Sequence, residues 1–339
     1  MNPSSSASLR RWLLLCCAMI FIMAVIGAIT RLTESGLSIT EWAPVTGALP
    51  PLNEAGWQDA FAAYQRIPQY QTLNQGMSLE EFKQIYFWEW LHRLWGRLIG
   101  LVYALPFFWF LWHRQVPRDL RSKLWLGLGL GFAQGALGWY MVQSGLSKLV
   151  YVSPYRLAAH LALALIIYTY LLWLALDLSD KRYGTNKTRR HGYVVLAGVT
   201  VTIVWGAFVA GHKAGWAYNS FPLMNGALLP SEAWNLQPLW HNFFANTAMV
   251  QFCHRWLAIG TAALILAWAW RLWRAWQPRR LVWLLGCMVV LQVILGISTL
   301  LLGVPVWLGA LHQAGAILLL TSVILNLHAL LPPQKPRSI

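Results

Sequence analysis

The stretches FWEWLHRLWGR (residues 87–97) and MVQFCHRWLAI (249–259) are two versions of one segment, and that repetition decides the fold. Each sets a His–Arg pair, His92–Arg93 or His254–Arg255, in an aromatic, apolar run of helical length. Charge near a bilayer core is expensive and is kept where it works. Matches continue on both sides. Gly27–Ala28 corresponds to Gly206–Ala207, Gly36 to Gly215, and Gly47-Ala-Leu to Gly226-Ala-Leu, all at an offset of 179. Gln134 and Leu137–Gly138 correspond to Gln292 and Leu295–Gly296, and His160 to His312.

Composition sets the solvent. Of 339 residues 58% are hydrophobic and 11% charged, a balance that excludes an ordinary soluble domain. A spanning helix needs about 20 mostly apolar residues. Eight such runs are predicted, at roughly 10–30, 86–112, 123–144, 155–177, 192–211, 245–272, 280–302 and 306–330. The first follows Arg10–Arg11 and lacks a small-residue cleavage site, so it reads as a retained signal anchor. The fold class expected is an all-α integral membrane protein whose eight transmembrane helices form two pseudo-symmetric four-helix bundles, residues 1–180 and 181–339. Four spans per half leave both halves in the same orientation, a parallel repeat about the membrane normal.

The net charge of +15 is a topology signal, not a nucleic-acid footprint. Of 26 Lys and Arg, 17 fall in the termini and the loops between spans 2/3, 4/5 and 6/7, which places both termini in the cytoplasm. The long loops 31–85 and 212–244 then face outward. In the first, NEAGWQDAFAAYQ sets Trp57, Phe61 and Tyr64 on one helical face, predicting a short helix lying on the membrane surface. Ser78–Glu81 (SLEE) is a capping box that starts the helix of span 2. Cys16, Cys17, Cys253 and Cys287 all lie in apolar runs, so neither a disulfide framework nor a zinc site is expected.

Nine histidines are present. His113, His191, His328, His212 and His241 fall in loops or near helix ends and read as solvated or interfacial. His92, His160, His254 and His312 differ. They occupy the even-numbered spans, all entered from the outer side, and all at a depth of roughly 10 Å by helical rise. Two imidazoles without a third donor do not make a zinc or copper site; they suit a haem, whose porphyrin needs only axial ligands. Small residues stand four positions on from each, Gly96, Ala164, Ala258 and Ala316, leaving flat space on the ligand face. Two haem sites follow, His92/His160 and His254/His312, with Arg93 and Arg255 placed to meet propionates or nearby carboxylates, and Arg31 and Gln251 as further contacts around them.

One position separates the halves. Glu89 precedes His92 by three residues, and Gln251 stands at the equivalent place before His254. A carboxyl at a haem edge can move protons; an amide can only hydrogen-bond. The first site is therefore expected to be reactive, with Glu89 as its catalytic group, and the second to serve electron transfer.

Taken together, TRLTESGLSITEWAPVTGALPP (30–51), EWLHR (89–93), FPLMNG (221–226), VQFCHR (250–255) and LHQAGA (311–316) resemble the haem A synthase family. The resemblance spans nearly the whole chain. It implies oxidation of a methyl group of haem O to a formyl group, giving haem A for cytochrome oxidases. By position it implies that His92 and His160 flank the substrate haem, that His254 and His312 ligate a resident haem b, and that Glu89 is the essential acid. It implies a bacterial inner-membrane setting and, as partners, haem O synthase (a farnesyltransferase), cytochrome oxidase assembly factors and an unidentified electron donor. Lipid surrounds the spans and no nucleic acid is expected; a homo-oligomer is left open. The outer-loop cysteine pairs of some members are missing here. A two-haem b-type carrier between a quinol and an outer-face acceptor explains the histidines equally well but not the Glu89/Gln251 difference. A repeat-built transporter does not require the small residues.

Overall fold

A computed structural model describes residues 3–43, 46–147, 149–179, 188–275 and 279–332. Much of the basic loop around Lys181–Lys187, Lys148 and the basic C-terminal tail lie outside the described residues. Among those described there are eleven α-helices and no strand beyond one isolated bridge. They are α1 (Pro3–Leu32), α2 (Glu54–Tyr64), α3 (Pro68–Leu73), α4 (Leu79–Trp112), α5 (Arg118–Ser147), α6 (Pro154–Asp177), α7 (Arg189–Gly211), α8 (Asn242–Ala245), α9 (Thr247–Ala275), α10 (Arg279–Leu301) and α11 (Val306–Ala329). Seven are long and apolar enough to cross a membrane, so the chain is a multi-pass membrane protein. The eighth expected span coincides with α5. At 30 residues it is long enough, but its first turns carry Arg118, Asp119, Arg121 and Lys123 and its middle is rich in glycine, so it falls short in apolarity.

The chain divides into two compact units, one of Ala18–Ile167, the other joining the first 17 residues to Tyr168 onward. In the 18–167 unit, α1 and α4 are tied by Trp95 Nε1–H donating to Met19 O at 2.9 Å and Thr30 Oγ donating to Trp88 O at 3.2 Å. Tyr103 O–H donates to Leu124 O and joins α4 to α5. In the other unit α9 packs on α7 and α10, and α11 on α10 and α7, closing four helices into a ring. There Gly192 gives way to the buried Trp268 ring, whose N–H donates to Thr188 O. Helix-to-helix approach through small residues is how apolar helices pack where burial in lipid gives no drive.

The first long loop is a folded cap on α4. Phe61, Tyr64, Ile67, Phe82, Tyr86 and Leu37 form one buried cluster, with Trp57 edge-on to Tyr86 at 5.0 Å. The Trp57/Phe61/Tyr64 face of α2, expected on a membrane surface, is thus turned against α4. Its aromatic stripe reads the same for either partner, and tertiary packing chose the protein. The capping box is formed: Ser78 N–H and Oγ–H both donate to Glu81 Oε2 at 2.8 and 2.7 Å, and Glu81 N–H donates to Ser78 Oγ. It extends the helix to Leu79, seven residues before the apolar run begins. Ser78→Ala is expected to cost about 1 kcal/mol and fray the first turn of α4. Hydrogen exchange over residues 78–84 checks this, with Ser78→Asp retaining protection.

Candidate functional site: paired histidines on glycine seats

Each of the four histidines rests its ring edge on a glycine of the preceding long helix. A β-carbon placed on Gly27 (α1), Gly138 (α5), Gly206 (α7) or Gly296 (α10) would stand 3.1, 3.0, 3.1 and 2.9 Å from Cε1 of His92, His160, His254 and His312 respectively. Only glycine lets the helix backbone serve as the imidazole's seat. The sequence comparison paired Gly27 with Gly206 and Gly138 with Gly296 but gave them no role; position in the repeat was the signal available.

Within each unit His92 lies within electrostatic reach of His160, and His312 of His254. One member of each pair is held by an amide. Gln134 Nε2 sits 3.2 Å from His160 Nδ1 and donates to His160 O at 3.1 Å; Gln292 Nε2 sits 3.1 Å from His312 Nδ1 and donates to His312 O at 3.0 Å. Each glutamine stands one turn before its glycine seat, so one helix face fixes both the ring's edge and its plane. The other member of each pair has no such amide. Nδ1 of His92 is buried without a hydrogen-bond partner, while His254 meets the Thr202 backbone.

Buried polar atoms are normally paired, so the orphaned His92 nitrogen marks a ring kept for something other than protein. Among the described residues no cluster of three or more His, Cys, Asp or Glu gathers to hold a bare metal ion. A pair of imidazoles per unit fits an axially ligated haem iron, so the donor set matches the group expected. Of the small residues at i+4, Gly96 faces the Met23 methyl, 3.3 Å from where its β-carbon would be, so that space is partly used by protein.

Glu89 and Gln251 sit in parallel clamps of opposite polarity. Glu89 is 3% exposed and all four of its hydrogen bonds are accepted. Arg93 Nε and Nη2 donate to Oε1 at 3.1 and 2.6 Å; Ser38 Oγ and Ile39 N–H donate to Oε2, both at 2.8 Å. That fills the lone-pair sites of a carboxylate. Gln251, equally buried, instead donates through Nε2 to Ala214 O and Tyr218 O at 2.7 and 3.2 Å, and accepts from Arg255 Nη2 at 3.0 Å. Residue chemistry and loop polarity have changed together.

The arginines obey the repeat at the level of single carbonyls. Arg93 donates to Ile39 O and Glu41 O at 2.8 and 2.9 Å; Arg255 donates to Tyr218 O and Ser220 O at 2.8 and 2.7 Å, the same positions at the 179 offset. Arg255 also reaches Pro222 O and Leu223 O. Just beyond these carbonyls, Asn225 and Gly226 take positive φ in a turn closed by Met224 and Ala227. Both arginines, expected to meet propionates or nearby carboxylates, anchor the long loops, and Arg93 also pairs with the Glu89 carboxylate at i−4. Arg31, in the last turn of α1, lies within electrostatic reach of Glu34 and Tyr151.

Elsewhere in the second loop Tyr218 O–H donates to Glu232, and burial together with that carboxylate pushes the phenol up to about 12. His212 Nε2 lies 2.8 Å from Phe244 O and His241 is exposed beside Trp240, so neither joins a paired-histidine site. Cys253 is half-buried, and all four cysteines are free.

The sequence pattern of the cytochrome oxidase assembly protein family matches residues 10–324. A protein from Rhodospirillum centenum named "Heme A synthase" is 55% identical over 99% of this chain and 93% of its own length. Relatives of the same name from Bradyrhizobium sp. and Nitrosospira multiformis are each 46% identical, over 96% and 94% of this chain and 92% of theirs. The chain belongs to the cytochrome oxidase assembly protein family.

Proposed function

We propose that the protein is a haem A synthase, an oxidoreductase that converts a methyl group of the substrate haem O to the formyl group of haem A. The observation that supports it best is the asymmetry of two otherwise equivalent sites: a buried carboxylate ringed by donors beside His92, and an amide bonded to carbonyls beside His254. In this reading eight spans, α5 included, form two four-helix halves, residues 1–180 and 181–339. Both termini face the cytoplasm of a bacterial inner membrane. His254 and His312 hold a resident haem b, which supplies one-electron redox chemistry when bound.

His92 and His160 flank the substrate, and their glycine seats fix the imidazole planes. Glu89 accepts or returns protons as an external oxidant and oxygen donor hydroxylate the substrate methyl twice, and as the resulting hydrate loses water to leave the formyl group. Its four donors complement the charged form, so it waits as a base. Arg93 holds that base to the loop that covers it, which keeps the carboxylate from swinging into solvent. Arg31 stands nearest the outer end, where a propionate would emerge. Haem O synthase as supplier and oxidase assembly factors as recipients follow from the reaction's substrate and product.

Co-expression with a source of haem O, followed by chromatography of extracted haems, tests the reading. Formyl haem is the expected product. Recovery of haem b alone, without formyl or hydroxymethyl haem, would favour the two-haem electron carrier.

A further inference from the structure

We infer that Ser38 is a positioning residue for Glu89, one that the first long loop contributes to the reactive half alone. This rests on the proposed role of Glu89. The Ser38 side chain is 1% exposed, and its hydroxyl donates to Glu89 Oε2 at 2.8 Å while standing 3.4 Å from Ile85 O. At the 179 offset Ser38 corresponds to Ala217, which has no hydroxyl, and in that half the amide Gln251 stands in place of the acid. The hydroxyl and the carboxylate are thus present together in one half and absent together from the other. The surrounding frame is unchanged: Arg93 and Arg255 bind the same two loop carbonyls in each half. Packing alone does not require this pairing, since alanine fills the equivalent place against the same clamp.

Of the four donors on Glu89, three are fixed by a guanidinium fork or by backbone. Ser38 alone can rotate its O–H, and alone can accept a hydrogen bond while donating one. It therefore holds Oε2 at rest and can yield that position to a hydroxyl on the substrate. The loop carrying it is pinned next door, where Leu37 lies against α5 at Gly145 so closely that a β-carbon there would stand 2.6 Å from its Cδ1. Leu37 sets where the loop sits, and Ser38 converts that placement into the orientation of the carboxylate.

The test compares wild type with Ser38→Ala, Ser38→Thr, Glu89→Gln and the Ser38→Ala/Glu89→Gln double variant, in cells supplied with haem O. Ser38→Ala is expected to lower formyl haem about tenfold, the usual effect of losing a hydrogen bond to a charged group, with the haem b absorbance unchanged. Ser38→Thr restores most of the product, and Ser38→Ala adds nothing in the Glu89→Gln background. In protein purified without added haem O, hydrogen exchange over residues 35–43 rises in both single variants, because Ile39 N–H loses a fixed acceptor. Wild-type product from Ser38→Ala, or effects that multiply in the double variant, overturns the proposal. Glu89→Gln with wild-type product overturns the Glu89 reading instead, and the exchange of residues 35–43 then decides the Ser38 contact by itself.

Discussion

Gly296→Leu is expected to empty the proposed haem b site without altering either histidine proposed as its ligand. The glycine's missing side chain is where the His312 ring lies, and even one added carbon would stand 2.9 Å from Cε1. A leucine adds three more carbons to that overlap. Overpacking of this kind costs about 1–3 kcal/mol, roughly 5- to 150-fold in an equilibrium, and here the part that must yield is the imidazole. The ring cannot swing freely, because Gln292 grips its Nδ1 edge and its backbone carbonyl. Gly206→Leu acts on His254 in the same way. Gly286→Leu, also on α10, is the control, since nothing lies within 4 Å of a β-carbon there. Haem absorbance per mole of purified protein should fall to the level of His312→Ala in Gly296→Leu and stay at wild type in Gly286→Leu. Full haem content in Gly296→Leu would remove His312 from the ligand set.

Glu89→Gln should stop formyl haem production, by about a hundredfold or more, while haem b remains bound. The substitution is isosteric but reverses the hydrogen-bond polarity of one arm. Donors from Ser38, Ile39 and Arg93 converge on this side chain, so the new NH2 must face at least one of them. A buried donor without an acceptor costs about 1–3 kcal/mol locally, and the loss of the base removes the proton-transfer step altogether. The reciprocal exchange, Gln251→Glu, sets a carboxylate against the carbonyls of Ala214 and Tyr218 and should loosen the second loop. Chromatography of the haems separates the first outcome from general unfolding. Loss of haem b along with the product in Glu89→Gln would assign the residue to the fold.

Much of this was legible before any coordinate. Apolar runs of spanning length mark helices because a bilayer leaves backbone groups no partner but their own chain. The repeat isolated His92, His160, His254 and His312 and exposed the Glu89/Gln251 difference, since two copies of one segment act as each other's control. The capping box at Ser78 is a local device and was readable as one. The face of α2 was misjudged because an aromatic stripe does not say whether lipid or protein will cover it. The eighth expected span, α5, is not among the seven helices apolar enough to cross a membrane, because its glycines lower apolarity without shortening the helix.

The sequence by itself determined the class of the protein, its internal symmetry and the four imidazoles, because these depend on periodicity and composition along one chain. Only the tertiary structure decided what holds those groups. That Gly27, Gly138, Gly206 and Gly296 are histidine seats, that Arg93 and Arg255 clamp loop carbonyls, and that Ser38 completes the donors on Glu89 are facts about residues 16 to 65 positions apart in the chain. A hydrogen bond or a close approach over such a separation leaves no periodic trace, because it is fixed by which helices the fold makes neighbours.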